Sequence, residues 1–285
     1  MTPSTARTCN DAINPLHSLI YFAPEAEAEF TAAGLEPGRM CYLAGRAAAM
    51  GAVGAGTVTA TFYNFSPTLV ARHIPRAWQA AAPRDVLAAR LRAVDSVLRR
   101  LLGPAAVDDP EVAEAARLAQ TAAEACTAAG RPLYAAHAEL DVPDQPHLAL
   151  WHATTLLREH RGDGHLDALA ASGLGGLEAL ITHTATGSGF TAEFARRSRG
   201  WSQQEWDGAA ERLRDRGLLD AQGGLTSEGA AVRQEVEDLT DRLARDPYDH
   251  LGEAGARRLA DIGSRLTRTA VSNGAFPPGV FAVRK

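Results

Sequence analysis

The amino-acid sequence predicts a mainly α-helical protein, and three observations carry that expectation. Apolar residues recur at three- and four-residue steps, proline and glycine sit where helices would start and stop, and aromatic residues make up only 6% of the chain. The stretch from Asp85 to Leu102 shows the pattern best: Val86, Leu87, Leu91, Val94, Val97, Leu98 and Leu101 mark one stripe. Gly103-Pro104 ends that helix.

A second helix is expected from Pro110 to Ala129, stopped by Gly130 and Pro132. A third begins near Pro146 and runs to His160. Gly162 then reads as a breaker and Asp163 as the N-cap of a fourth helix. In the last third a helix, a turn and a second helix follow one another. The second opens with Ser202 and carries Glu205 three residues later, a capping box. Leu218-Leu219, Asp220 to Gly224 and Leu225 read as strand, tight turn and returning strand. Thr226 or Ser227 then caps a long helix bearing Val232, Val236, Leu239 and Leu243. The expected division is 1–103, 104–173 and 174–285, with Gly103 to Asp109 as the link between halves.

The two halves echo one another. Phe30 to Leu35 ("FTAAGL") and Leu169 to Leu174 ("LAASGL") each precede a run of small residues and then a serine placed like an N-cap, Ser66 or Ser202. Leu35 to Ser66 is 31 positions and Leu174 to Ser202 is 28. Ser66-Pro67 pairs a cap with proline at the first helical position. The echo suggests a degenerate tandem repeat.

Bulk composition narrows the function classes. A net charge of −5 and a pI near 6.0 argue against a generally basic nucleic-acid binder. Lys285 is the only lysine among 29 basic residues, which reads as coding bias rather than a demand for guanidinium chemistry. Cys9, Cys41 and Cys126 are few, odd in number and widely spaced, as expected in a reduced compartment. Met1 to Asn14 lacks an apolar signal core, and the weakly polar run Ala47 to Thr61 is too short to span a bilayer. The expectation is a cytoplasmic chain with no membrane partner.

The densest polar cluster is Arg158 to His165. Its bland reading is a helix end, with Arg158, His160 and Arg161 at the negative pole of the helix dipole. Its functional reading is a pocket. Arg158 or Arg161 would bind an anionic or carbonyl oxygen, while His160 and His165 serve as acid/base groups oriented by Glu159. Phe62, Tyr63, Asn64 and Phe65 form a second candidate, either core packing or a ligand wall with Tyr63 and Asn64 as polar handles. His17 and Tyr21 lie four residues apart, whereas Pro24 separates Glu25 from them. Arg46 is a lone charge among small residues, either the partner of a buried carboxylate or simply a surface residue. The histidine spacing does not match H-E-x-x-H, so a metal or haem held by His160 and His165 is a spacing without a motif. No phosphate loop, G-x-G-x-x-G fingerprint or nucleophile elbow is present, which disfavours nucleotide cofactors and nucleophilic catalysis. The cofactor stays unassigned.

From Leu174 onward, "FTAEFARRSRGWSQQEWDGAAERLRDRGLLDAQGGLTSEG" resembles the winged helix-turn-helix of the MarR superfamily. "FYNFSP" (Phe62 to Pro67), "IPRAW" (Ile74 to Trp78) and "REHRGDGH" (Arg158 to His165) are similar to segments of an actinobacterial family of helix-turn-helix proteins. The winged-helix likeness covers the last third of the chain and the family likeness most of it. It implies two winged-helix-like halves with a short β-wing in the second. It also implies either a homodimer or a monomer whose halves pair as a pseudo-dimer.

Whether such a helix reads DNA is a question of charge. Arg196, Arg197, Arg199, Gln203 and Gln204 favour contact with phosphates and base edges. Yet from Glu193 to Asp220 six acids balance six arginines, and the turn Asp220 to Gly224 carries no cation. Net neutrality forfeits most of the phosphate attraction. The leading expectation is therefore a small-molecule-binding protein, with or without catalysis. Its polar wall would be Arg158, Glu159, His160 and His165, facing Tyr63 and Asn64. The alternative is a ligand-responsive transcriptional regulator.

Overall fold

The computed structural model describes residues 3–282. In chain order the helices are α1 (Pro3–Ser18), α2 (Pro24–Ala32), α3 (Arg39–Ala47), α4 (Ala55–Phe62), α5 (Pro67–Ala80), α6 (Pro83–Leu102), α7 (Pro104–Val107) and α8 (Pro110–Ala123). They continue with α9 (Pro132–Ala138), α10 (Pro146–Ala171), α11 (Gly176–Ala185), α12 (Ala192–Arg199), α13 (Gln203–Asp215), α14 (Ser227–Leu243) and α15 (Asp246–Ser272). The protein is mainly helical. Pro24, Pro83, Pro104, Pro110 and Pro132 open their helices, where a missing N–H costs nothing.

The chain divides into two compact units, each built from separate stretches. The first comprises residues 1–53, 74–164 and 241–276, the second 54–73, 165–240 and 277–285. The division does not follow the expected boundaries at 103 and 173, and the expected linker, Gly103 to Asp109, lies inside the first unit. There α6 buries Val86, Ala89, Val94, Val97 and Leu101 against α2 and its neighbours. A second apolar cluster joins α1, α8, α10 and α15 through Ile13, Val112, Leu150, Leu157 and Leu259. In the second unit Leu169, Leu174, Ile181, Leu213, Leu218 and Val236 form the core.

Three local expectations change. The helix that begins at Pro110 ends at Ala123 rather than Ala129, because its ladder tightens into the turns Ala125 N–H to Ala122 O and Cys126 N–H to Ala123 O. Gly162 does not break a helix: α10 runs through it to Ala171. Each glycine inside a helix costs about 1 kcal/mol relative to alanine. Burial of Leu148, Leu150 and Leu157 on the same helix contributes about 1.5–3 kcal/mol per side chain, so burial prevails. Asp163, in turn, does not cap α10. Its Oδ2 accepts the N–H groups of Leu133 (3.0 Å) and Tyr134 (2.9 Å), so it caps the first turn of α9 from across the fold. Gly164 has a different task. A Cβ there would lie 2.7 Å from Arg131 Nη1 and 3.2 Å from Leu243 Cβ, so the missing side chain lets the Arg131 guanidinium pass. That guanidinium donates to the carbonyls of His160 and Leu243.

The echo between "FTAAGL" and "LAASGL" has a local cause. Leu35 N–H bonds Phe30 O at 3.1 Å and Leu174 N–H bonds Leu169 O at 3.0 Å, each across a glycine with positive φ. The same six-residue closure occurs from Arg196 to Trp201, Leu213 to Leu218 and Ala270 to Ala275. It is the Schellman stop, in which glycine adopts the left-handed conformation and an apolar residue follows. The repeated hexapeptide therefore reports how helices end.

Candidate functional site

In the first unit, α10 presents Trp151, Thr155, Arg158 and Glu159 at spacings that share one helical face. The end of α1 supplies His17, and the following single turn supplies Tyr21. Tyr42 and Arg46 come from α3, Arg90 from α6 and His137 from α9. Of the two readings of Arg46, the structure has the buried partnership: Arg46 Nη2 lies 3.3 Å from Glu159 Oε2, and Glu159 is 1% exposed. Arg158 pairs with the other carboxylate oxygen. Burial alone would push the Glu159 carboxyl up, but Arg158 and Arg46, then His17, hold it well below the usual carboxylate range.

The hydrogen bonds fix two histidine tautomers. Thr155 donates its hydroxyl to Trp151 O at 2.8 Å, so at His17 Nδ1, also 2.8 Å away, it accepts. His17 Nε2 is then the acceptor for Tyr21 O–H at 2.9 Å. At His137, Arg90 Nη1 can only donate to Nε2 (2.8 Å), which leaves Nδ1–H for Leu133 O (2.8 Å). Both rings are buried and neutral. Burial, reinforced by Arg158 at His17 and by Arg90 at His137, lowers both, with His137 reaching about 3. The His17 ring also stacks on Trp151, and the Arg90 guanidinium lies 4.7 Å from the same indole.

Tyr21, Tyr42 and Arg90 also line a cavity of about 680 Å³ whose other walls include Phe22, Phe30 and Ala26. Gly45 belongs to this wall too, and a Cβ on it would lie 2.5 Å from the Phe30 ring. Polar groups therefore converge at one side of a mostly apolar hollow, the usual composition of a small-molecule site.

The remaining expected site residues lie elsewhere. His160 packs edge-on against Tyr134, with ring centroids 5.3 Å apart, and burial followed by the Arg131 charge lowers it to about 4. Arg161 donates to Asp241 Oδ1 at 2.7 Å, and Arg7 holds the other oxygen of that carboxylate at 2.7 Å. These contacts tie α10 to the end of α14 and the start of α1. The expected single wall of Arg158, Glu159, His160 and His165 is thus divided. Glu159 and Arg158 enter the buried cluster, and His160 faces α9.

His165 belongs to the second unit, where Nδ1 meets Thr240 Oγ1 at 2.8 Å. Tyr63, Asn64 and His165 line a second cavity of about 260 Å³ with His183, Arg199 and Arg233. Tyr63 O–H bonds Leu174 O at 2.7 Å, and Asn64 O accepts the Trp201 indole N–H at 2.9 Å. Tyr63 has a φ of 55°, and a Cβ on Gly176 would lie only 1.9 Å from Tyr63 O. Phe65 is 1% exposed and carries Arg199 over its ring at 4.7 Å. Among the described residues, no group of three or more His, Cys, Asp or Glu side chains is placed to hold a metal ion.

The second unit contains α12, the turn Gly200 to Ser202, and α13. Ser202 Oγ accepts Glu205 N–H at 3.2 Å and Glu205 Oε2 accepts Ser202 N–H at 2.8 Å, which is the expected capping box. After α13, Leu219 and Leu225 form an isolated antiparallel bridge, and Thr226 Oγ1 caps α14 by accepting Gly229 N–H at 3.0 Å. The model of a helix-turn-helix family matches residues 6–277. The chain belongs to this helix-turn-helix family. Neither the curated proteins nor the solved structures yield a match. Among the described residues of this helix-turn-helix protein, no helix is long and apolar enough to cross a membrane.

The arginines of the helix-turn-helix segment are engaged locally. Arg197 pairs with Glu193, Arg214 with Glu211, and both Arg212 and Arg216 with Glu178. Arg196 donates to Trp201 O at 3.3 Å, and Gln203 to Asp207 at 2.7 Å. Gln204 is exposed.

Sequence reasoning missed Arg90, His137, Tyr42 and Trp151. Arg90 had a readable signal, because it falls on the same stripe of α6 as Val86, Val94 and Val97 and is a charge on a core face.

Proposed function

We propose that this helix-turn-helix protein binds a small molecule in the cavity beside Tyr21, Tyr42 and Arg90, using its winged-helix-like second unit chiefly as scaffold. The observation that carries this reading is the meeting of a 680 Å³ hollow with a buried polar cluster. Tyr21 joins the two: its ring lines the hollow and its hydroxyl donates into the chain Tyr21–His17–Thr155. A cavity of this size suits a ligand of ordinary metabolite dimensions. Glu159 with Arg46 and Arg158 holds the wall rigid, and neutral His17 keeps the Tyr21 hydroxyl aimed.

Native mass spectrometry of the gently purified protein, combined with thermal shifts against a metabolite library, tests the reading. A bound mass, or a ligand-induced rise in melting temperature that Tyr21→Phe or Arg90→Gln reduces, supports it. A bare mass together with no shift from any compound overturns it.

The second reading is a ligand-responsive regulator whose MarR-like α13 contacts DNA. It is favoured by the capped α13 with Gln203 and Gln204 exposed at its start. The local pairing of Arg197, Arg212, Arg214 and Arg216 with carboxylates weighs against it, because those pairs must open before phosphates can take their place.

A further inference from the structure

Arg90 is 3% exposed, yet it forms no ion pair among the described residues. Its Nη1 is used by His137, its face by Trp151, and its Nη2 is buried with no hydrogen-bond partner. A guanidinium stays protonated at any physiological pH. A buried cation that lacks a counterion is costly, so such groups are normally paired. Glu159, the carboxylate whose charge bears on Arg90, is already shared by Arg46 and Arg158. Two guanidiniums thus already contact that carboxylate, and burial first and foremost lowers the proton affinity of Arg90.

The cavity that Arg90 lines supplies the place for the missing charge. Most of its wall is apolar, including Ile20, Phe22, Ala26 and Phe30, so the rest of an occupant must be apolar as well. The only acid in the lining, Glu27, is exposed and accepts Gly38 N–H at 3.0 Å. A carboxylate on the same wall disfavours a polyanion such as a di- or triphosphate.

We propose that the cavity takes an amphipathic monocarboxylate, its carboxylate received by Arg90 and its hydrocarbon body lying against Phe22, Phe30 and Ala26. A guanidinium receives carboxylate and phosphate alike, so the choice of a singly charged carboxylate rests on the apolar wall and on Glu27 within it. The Tyr21 hydroxyl is already donated to His17, so the guanidinium is the anion's chief donor. This assignment rests on the cavity being a ligand site and adds the chemical class of the ligand.

The test is isothermal titration of the full chain with hexanoate, octanoate and 3-phenylpropanoate, each beside its matched primary amide and primary amine. At least one acid is expected to bind about tenfold or more tightly than its amide, with the amine weakest. In Arg90→Gln that preference is expected to fall below about twofold, with Arg90→Lys intermediate. The acid-to-amide ratio on the wild-type chain decides the class even where an Arg90 variant fails to fold. Equal affinity of acid and amide overturns the carboxylate assignment and leaves a cavity ligand in place. If no acid, amide or amine binds below about 10 mM, this assignment and the ligand-binding reading both fall.

Discussion

Arg90 Nη1 donates to His137 Nε2 at 2.8 Å, an arrangement that holds only while the imidazole is neutral. Protonation would set two cations face to face inside the first unit. His137 sits at about 3 and His160 at about 4, both lowered chiefly by burial. A base lowered in the folded state contributes stability that is full above its unfolded value, near 6.5, and is lost as pH falls toward the folded value. Melting temperature is therefore expected to be flat above pH 7 and to fall steeply between pH 6.5 and 4. His137→Gln is expected to flatten that slope while lowering stability at pH 7. A melting temperature that rises from pH 7 to pH 5 contradicts this.

Glu159→Gln should be among the most damaging single substitutions. Removing one partner from a buried ion pair costs about 3–5 kcal/mol, because the remaining charge is left uncompensated. Here Arg46 and Arg158 would both be left so. The folded carboxyl is held low, so its contribution is present above the ordinary carboxylate range and lost as pH falls below it. Denaturant unfolding of Glu159→Gln, Arg46→Met and the double variant gives the coupling. The double variant is expected to be more stable than the simple sum of the two losses allows.

Asp163 offers a different contrast. Burial pushes its carboxyl up to about 6, against the amide hydrogen bonds of Tyr134 and Leu133 and with help from the Glu159 charge. Asp163→Ala leaves two buried N–H groups of α9 without an acceptor and should cost about 1–3 kcal/mol for each. Asp163→Asn keeps an acceptor oxygen and should lose far less at pH 7, where the wild-type carboxylate is charged at a desolvation cost. Unfolding free energies of the two variants check this, and equal losses would show that charge, not hydrogen-bond acceptance, is what matters there.

These residues also mark what could be read from the sequence. Local chemistry was legible: the Ser202–Glu205 box, the proline-led helix starts and the His17–Tyr21 spacing need only a few neighbouring residues. The pairing of Arg46 with a buried acid was half legible: a lone charge among small residues leaves either a buried partner or the surface, and Glu159 decides between them. Asp163 was recognised as a cap, but its target, α9, lies thirty positions earlier and no local pattern points there. Gly162 reads as a breaker because its cost is local, whereas the burial that overrides it is tertiary. Arg90 went unread since its importance comes from Trp151, His137 and the cavity, which three separate segments bring to it.

The helix-turn-helix segment carries its own expectation. With Arg197, Arg212, Arg214 and Arg216 paired to carboxylates, duplex DNA should be retained poorly at about 150 mM salt, and Arg197→Ala should change little. Fluorescence anisotropy across a salt series measures this. Tight binding with a steep salt dependence, weakened by Arg197→Ala, would favour the regulator reading instead.

The ligand assignment turns on a carboxylate received by Arg90 in the first unit's cavity. A crystal structure of the protein soaked with octanoate tests it most directly. Difference density is expected inside that cavity, with the carboxylate within hydrogen-bonding distance of Arg90 Nη2 and the chain against Phe22 and Phe30. Density for octanoate only in the second unit's cavity, or water alone beside Arg90, would contradict it.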